Sequence, residues 1–175
     1  MNKSWIANGF TAANALFGGL SIMMSISGEY HVAAICILIA MAADAFDGRV
    51  ARALGTAGPM GVELDSLSDD ISFGVAAGAL MYSYQLRELG AFGFIPCALL
   101  GAFCAFRLAR FNVKVTSIHG YFEGLPCPTV GVIIACYVLS GVKIWNWLAM
   151  VCVLALAVLM VSEVHYPDKK GASAD

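Results

Sequence analysis

Asp44, Asp47, Asp65 and Asp69 are the residues of this chain best placed by type and spacing to do chemistry. The first pair lies in Asp44-Ala-Phe-Asp47-Gly48-Arg49-Val50-Ala51-Arg52, the second in Gly61-Val-Glu-Leu-Asp65-Ser-Leu-Ser-Asp69, with eight residues between the two runs. Asp44 and Asp47 are three apart and Asp65 and Asp69 four apart, so on helices each pair shares a face. Gly55, Gly58 and Pro59 mark a loop between them. Two antiparallel helices would then gather four carboxylates. In hydrocarbon each carboxylate costs roughly 2.5–3.5 kcal/mol even on a lenient scale, so the cluster needs a compensating charge. Pairing with Arg49 and Arg52 is the bland alternative, but four carboxylates outnumber two arginines. With neither histidine nor cysteine in the runs, an all-oxygen site suits Mg²⁺, Mn²⁺ or Ca²⁺ and disfavours zinc. Two such ions roughly 3.5–4 Å apart clamp a phosphate. Gly48 and Ala51 leave room for the phosphate, and Arg52 can neutralise it further. The chemistry that fits is displacement at phosphorus, with a divalent cation (Mg²⁺ or Mn²⁺, two ions) and a base beside the nucleophile.

The elements that must position these residues read as membrane spans. Of 175 residues, 60% are hydrophobic and 13% charged, against about 25% charged in a soluble domain. The fold class expected is all-α, a polytopic membrane protein with six transmembrane helices in one domain over residues 1–165. The spans run from about Ile6 to Ile26, Val32 to Ala53, Val62 to Tyr84, Leu89 to Phe111, Thr129 to Val142 and Ile144 to Val164. Pro96 is expected to kink the fourth, the fifth is short enough to need an upstream extension, and Trp145 and Trp147 open the sixth at an interface. Residues 166–175 read as a disordered cytoplasmic tail. The N-terminal stretch, interrupted by Asn8, Thr11 and Asn14, reads as a retained span rather than a signal peptide. Six spans put Lys3, Arg49, Arg52, Arg107, Arg110, Lys114, Lys169 and Lys170 on one side and Arg87 and Lys143 on the other. That asymmetry places both termini and the aspartates at the cytoplasmic face of the cell membrane. Net charge is −2, and no nucleic-acid partner is expected. The six cysteines lack a CxxC pair and read as small buried hydrophobes; His31, His119 and His165 are isolated. Gly74-Val-Ala-Ala-Gly78 fits a close helix-packing motif, within the chain or between two copies, and a homodimer is expected.

The pattern Asp-x2-Asp-Gly-x2-Ala-Arg-x8-Gly-x3-Asp-x3-Asp, met here at every defined position, resembles the signature of the CDP-alcohol phosphotransferases. Members of that family are six-span membrane enzymes that displace CMP from a CDP-linked lipid or alcohol. The resemblance implies a metal site of Asp44, Asp47, Asp65 and Asp69, with Asp69 as the general base and Gly48, Ala51, Arg52 and Gly61 along the CDP site. Three further stretches are similar to the serine-accepting branch: Leu64-Asp-Ser-Leu-Ser-Asp-Asp-Ile-Ser-Phe-Gly-Val-Ala76, Phe106-Arg-Leu-Ala-Arg-Phe-Asn112 followed by Gly124-Leu-Pro-Cys-Pro128, and Asn8-Gly-Phe-Thr11-Ala-Ala-Asn14. The last adds Asn8 and Thr11 to the CDP side. Ala7, Ala77 and Thr129 depart from that branch's usual residues, and none of them touches the aspartates.

The expectation is therefore a transferase that takes CDP-diacylglycerol and L-serine in the lipid bilayer. Arg107, Arg110 and Asn112 would hold the acceptor, Arg110 ahead of Arg107; as a plainer reading, the two arginines anchor to headgroups. The rivals are the same chemistry with glycerol 3-phosphate or an inositol phosphate as acceptor, and a divalent-cation transporter built on the acidic cluster.

Overall fold

Long apolar stretches punctuated by glycine turns set the path of this chain, whose computed structural model describes residues 4–54, 58–114, 122–162 and 165–166. Helix α1 (Ser4–Ile26) turns at Gly28, φ 84°, into α2 (Tyr30–Leu54). Helix α3 (Pro59–Asp69) starts from Gly58 with proline in its first turn, where a missing N–H costs nothing. It continues through a π-helical segment (Asp70–Val75) into α4 (Ala76–Tyr84). A 3₁₀ turn (Leu86–Leu89) and Gly90, φ 56°, lead to α5 (Ala91–Lys114). Then come α6 (Cys127–Leu139) and α7 (Asn146–Val161). Two short antiparallel strands, β1 (Phe122–Glu123) and β2 (His165–Tyr166), tie the stretch before α6 to the chain after α7. Among the described residues the polypeptide thus makes six helical passages, and this pair is its one departure into strand.

The packing is that of a protein in lipid. Leu16, Met23, Ile39, Phe46, Phe94, Phe106 and Leu148 point outward. Many interior positions are small instead: Ala33, Ala34, Ala40, Ala76, Ala77, Ala135 and Ala157 are fully or almost fully buried. Small residues let backbones approach where lipid gives no hydrophobic drive between helices. Among the described residues, Asn8–Ile26, Tyr30–Arg49 and Ala91–Val113 are long and apolar enough to cross a membrane. Helices α6 and α7 are apolar but shorter.

Several expectations are refined. The third passage is not one regular helix, because the π turn begins directly after Asp69. The short fifth helix does gain upstream residues, starting at Cys127, but it ends at Leu139, before Gly141 at φ 66°. The sixth runs from Asn146, after Trp145, to Val161. Pro96 sits inside α5, which continues through it. Gly74 and Gly78 serve packing within the chain. A Cβ on Gly74 would lie 2.9 Å from the Cys104 Cβ, and one on Gly78 would strike the Cys97 carbonyl oxygen. Of the cysteines, all free, Cys36, Cys97, Cys104 and Cys127 are buried, whereas Cys136 and Cys152 are exposed. Tyr166, expected in the tail, belongs to β2; residues 167–175 lie outside the described residues.

Polar contacts gather at the two ends of the bundle. At one end Gln85 donates to the Ile144 carbonyl at 2.6 Å and accepts from the Tyr137 hydroxyl, Asn146 donates to Glu88 at 2.8 Å, and Lys143 lies 4.8 Å over the Tyr84 ring. The opposite end holds the aspartates.

Candidate active site

Helix α2 presents Asp44 and Asp47, one helical turn apart, to the beginning of the third passage, where α3 presents Asp65. One carboxylate oxygen from each of the three lies within 4.8 Å of the others. Asp47 is buried, and Asp44 and Asp65 are half-buried. Among the described residues no ion pair joins Arg49 to these carboxylates, and Arg49 is exposed. Oδ1 of Asp65 is sealed from solvent with no protein partner. Three converging carboxylates with an orphaned oxygen repel one another until a cation stands between them. The donor set is all oxygen, so the residues fit a hard divalent ion.

Asp69 lies beside this triad without being one of the three. It is 8% exposed, and its Oδ1 accepts a hydrogen bond from the Asn14 amide at 3.0 Å. Helix α1 makes a second such contact three residues earlier, where the Thr11 hydroxyl donates to Asp47 Oδ2 at 2.9 Å. One face of α1 therefore holds one carboxylate from each of the two acidic segments. Asn14 is itself secured by Ser72 of the π segment, whose hydroxyl donates to the Asn14 carbonyl at 2.9 Å.

The other residues singled out from the sequence surround this centre or fall outside it. Asn8 is half-buried near the start of α1, and Gly48 is half-buried beside Asp47. A Cβ on Gly61 would meet nothing within 4 Å, so that position opens onto free space. Ala51 and Arg52 belong to α2, but their side chains lie outside the described residues, as do His119 and the side chain of His165. His31 is exposed, away from the cluster. The three acceptor candidates close the same end of the bundle in different ways. Arg107 is buried, with Nη1 donating to the Cys127 sulfur at 3.6 Å and Nε without a protein partner. Arg110 donates to the Val161 carbonyl at 3.3 Å, at the end of α7. Asn112 donates to the Ser66 hydroxyl at 3.0 Å, joining α5 to α3.

Four side chains were given no role from the sequence: Asn14, Ser72, Asp70 and Cys127. Asn14 carried a signal, a polar residue three positions from Thr11 in a mostly apolar span. Ser72 carried none, because a regular helix would aim it elsewhere. Cys127, read as a small hydrophobe, instead accepts from a buried guanidinium. Asp70 opens the π segment, with its Oδ1 buried over Gly74.

Residues 4–161 match the family model described as CDP-alcohol phosphatidyltransferase, nearly the whole of the described fold. The chain belongs to the CDP-alcohol phosphatidyltransferase family. Its relatives narrow the comparison. The chain is 36% identical to the CDP-diacylglycerol–serine O-phosphatidyltransferase of Helicobacter pylori, over 93% of this chain and 72% of that protein. It is 35% identical to the enzyme of the same name from Bacillus subtilis, over 94% of this chain and 91% of that protein. It is also 38% identical to the archaetidylserine synthase of Methanothermobacter thermautotrophicus, over 92% and 69%. As a member of this transferase family the chain is an enzyme, and its acidic triad could hold a metal ion.

Proposed function

We propose that this enzyme transfers the phosphatidyl group of CDP-diacylglycerol to L-serine and releases CMP. The observation that carries the reading is the triad of Asp44, Asp47 and Asp65 converging within 4.8 Å, with Asp69 buried beside it. The relatives' names supply the acceptor: both the diacylglycerol enzymes and the archaetidylserine synthase name serine.

Asp44, Asp47 and Asp65 would hold the divalent ions, Mg²⁺ or Mn²⁺, and Asp69, the fourth carboxylate of the signature, is kept for the proton. When bound, these ions neutralise charge on the diphosphate and on the departing CMP. Asn8, Gly48, Ala51, Arg52 and Gly61 line the CDP site, where the open space at Gly61 supports close approach of a phosphate. Thr11 acts on that site through its hydrogen bond to Asp47. Asp69 takes the proton from the serine hydroxyl. The serine oxygen then forms its bond to the β-phosphorus, and the bond from that phosphorus to CMP breaks. Arg107 holds the serine carboxylate: it is a buried cation at this end, and its Nε lacks a protein partner. Arg110 and Asn112 frame the acceptor pocket by tying α5 to α7 and α3.

The six passages cross the membrane. Arg87 and Lys143 mark the outer end, and the aspartates face the cytoplasm, in keeping with the excess of Lys and Arg on that side. The archaetidylserine relative supports a second reading in which the same displacement acts on the archaetidyl counterpart of the lipid. Purified enzyme given either CDP-lipid with serine separates the two, since CMP release with only the second would replace the first.

A further inference from the structure

We infer that Asn14 is the positioning residue for Asp69, fixing which carboxylate oxygen faces the acceptor. This rests on the reading of Asp69 as the base. Asn14 is wholly buried in α1, and its amide donates to Oδ1 of Asp69 at 3.0 Å. With Oδ1 engaged, Oδ2 remains as the oxygen that receives the proton. A carboxylate free to turn about its last bond would offer either oxygen at varying distance, and proton transfer needs a donor–acceptor approach of about 2.6–3.2 Å.

The elements that carry Asn14 are built to hold it still. The Ser72 hydroxyl donates to the Asn14 carbonyl at 2.9 Å. That carbonyl belongs to the helix backbone, so Ser72 pins α1 itself rather than a mobile side chain. One turn further along α1, Gly18 lets the π segment press in, because a Cβ there would lie 2.8 Å from the Ser72 Cα. The π turn supplies the register. One extra residue in the turn after Asp69 rotates the downstream residues by about 100° relative to a regular helix. Asp69, Ser72 and Asn14 thus form a closed link between α1 and the third passage.

Thr11 and Asn14 divide the labour of α1. Thr11 holds Asp47, a member of the triad, whereas Asn14 holds Asp69, which stands outside it. The two should therefore fail differently. Were Asn14 only filling a buried site, its loss would lower stability and depress every kinetic parameter together.

The test is steady-state CMP release by purified Asn14→Ala, Ser72→Ala and Thr11→Val in detergent, with CDP-lipid, acceptor and Mn²⁺ each varied. Asn14→Ala is expected to lower kcat about 10–100-fold, a part of what a general base contributes, while KM for the CDP-lipid and the half-saturating Mn²⁺ change less than about twofold. Ser72→Ala shows the same split with a smaller loss. Thr11→Val shows the opposite one, with its larger change in half-saturating Mn²⁺. Asn14→Ser and Ser72→Ala decide the matter where Asn14→Ala does not fold. Unchanged kcat in these variants, or a loss confined to the metal or lipid parameters, overturns the inference. The comparison uses whichever acceptor drives CMP release in the wild type, so a wrong acceptor sinks the proposed function and leaves this test standing.

Discussion

Asp65 and Asp69 sit one turn apart on α3, yet their surroundings differ. Asp65 converges with Asp44 and Asp47 and keeps an oxygen without a protein partner, whereas Asp69 is clasped by an amide from α1. That contrast suits one carboxylate to an ion and the other to a proton. Asp69→Asn keeps the shape and removes the base, so kcat is expected to fall by about 10²–10⁴-fold or more. Binding of the CDP-lipid should persist, as equilibrium binding of a labelled CDP-lipid would report; near-normal turnover removes Asp69 from the base role. The arginines separate in the same manner. Arg110 is engaged with the end of α7, while Arg107 is buried with its Nε unpaired by protein. Losing a charge-assisted hydrogen bond costs about 1.5–3 kcal/mol. Arg107→Ala should then raise the serine KM about tenfold to a hundredfold and that of the CDP-lipid far less. Arg110→Ala should show the smaller effect on serine, and equal effects would remove the distinction.

At the scale of elements, glycine does two separable jobs. Gly78 lets α4 lie against the Cys97 carbonyl of α5, whereas Gly61 faces open space next to the aspartates. Gly78→Ala overpacks a closed contact and is expected to cost about 1–3 kcal/mol, visible as a lower Tm in detergent. Gly61→Ala should hold or slightly raise Tm, since alanine favours helix, and weaken CDP-lipid binding. The reverse pattern would exchange their roles. The longer helical passages were legible because apolar stretches of about 20 residues leave little else to build, and the acidic pairs were legible because their spacing repeats on one helix face. The π segment was not legible. Asp70-Ile-Ser-Phe-Gly-Val75 carries no breaker at its start, and its extra residue is stabilised by tertiary contacts of Ser72 with α1 and Gly74 with α5. The roles of Asn14 and Cys127 were hidden for a related reason: each is defined by a partner on another helix, at Asp69 and at Arg107.

Taken whole, the molecule is a bundle with small residues inside, large apolar ones outside, and two unlike polar ends. One end is closed by neutral hydrogen bonds around Gln85; the other concentrates buried carboxylates and a buried arginine. Acidic clusters in membrane helices serve catalysis or ion passage, and membership of a transferase family favours catalysis here. Sealed liposomes loaded with a Mn²⁺-sensitive dye should accordingly show no uptake attributable to the protein, and robust flux would favour transport. The transferase activity is tested most plainly by CMP release from purified enzyme in CDP-diacylglycerol micelles. Serine, glycerol 3-phosphate and inositol phosphate are offered in turn, each with Mn²⁺ and with chelator. CMP release with serine is expected, accompanied by a serine-containing lipid, and loss of both when the metal is removed. Full turnover in chelator, or release driven by another acceptor and not by serine, would contradict that expectation.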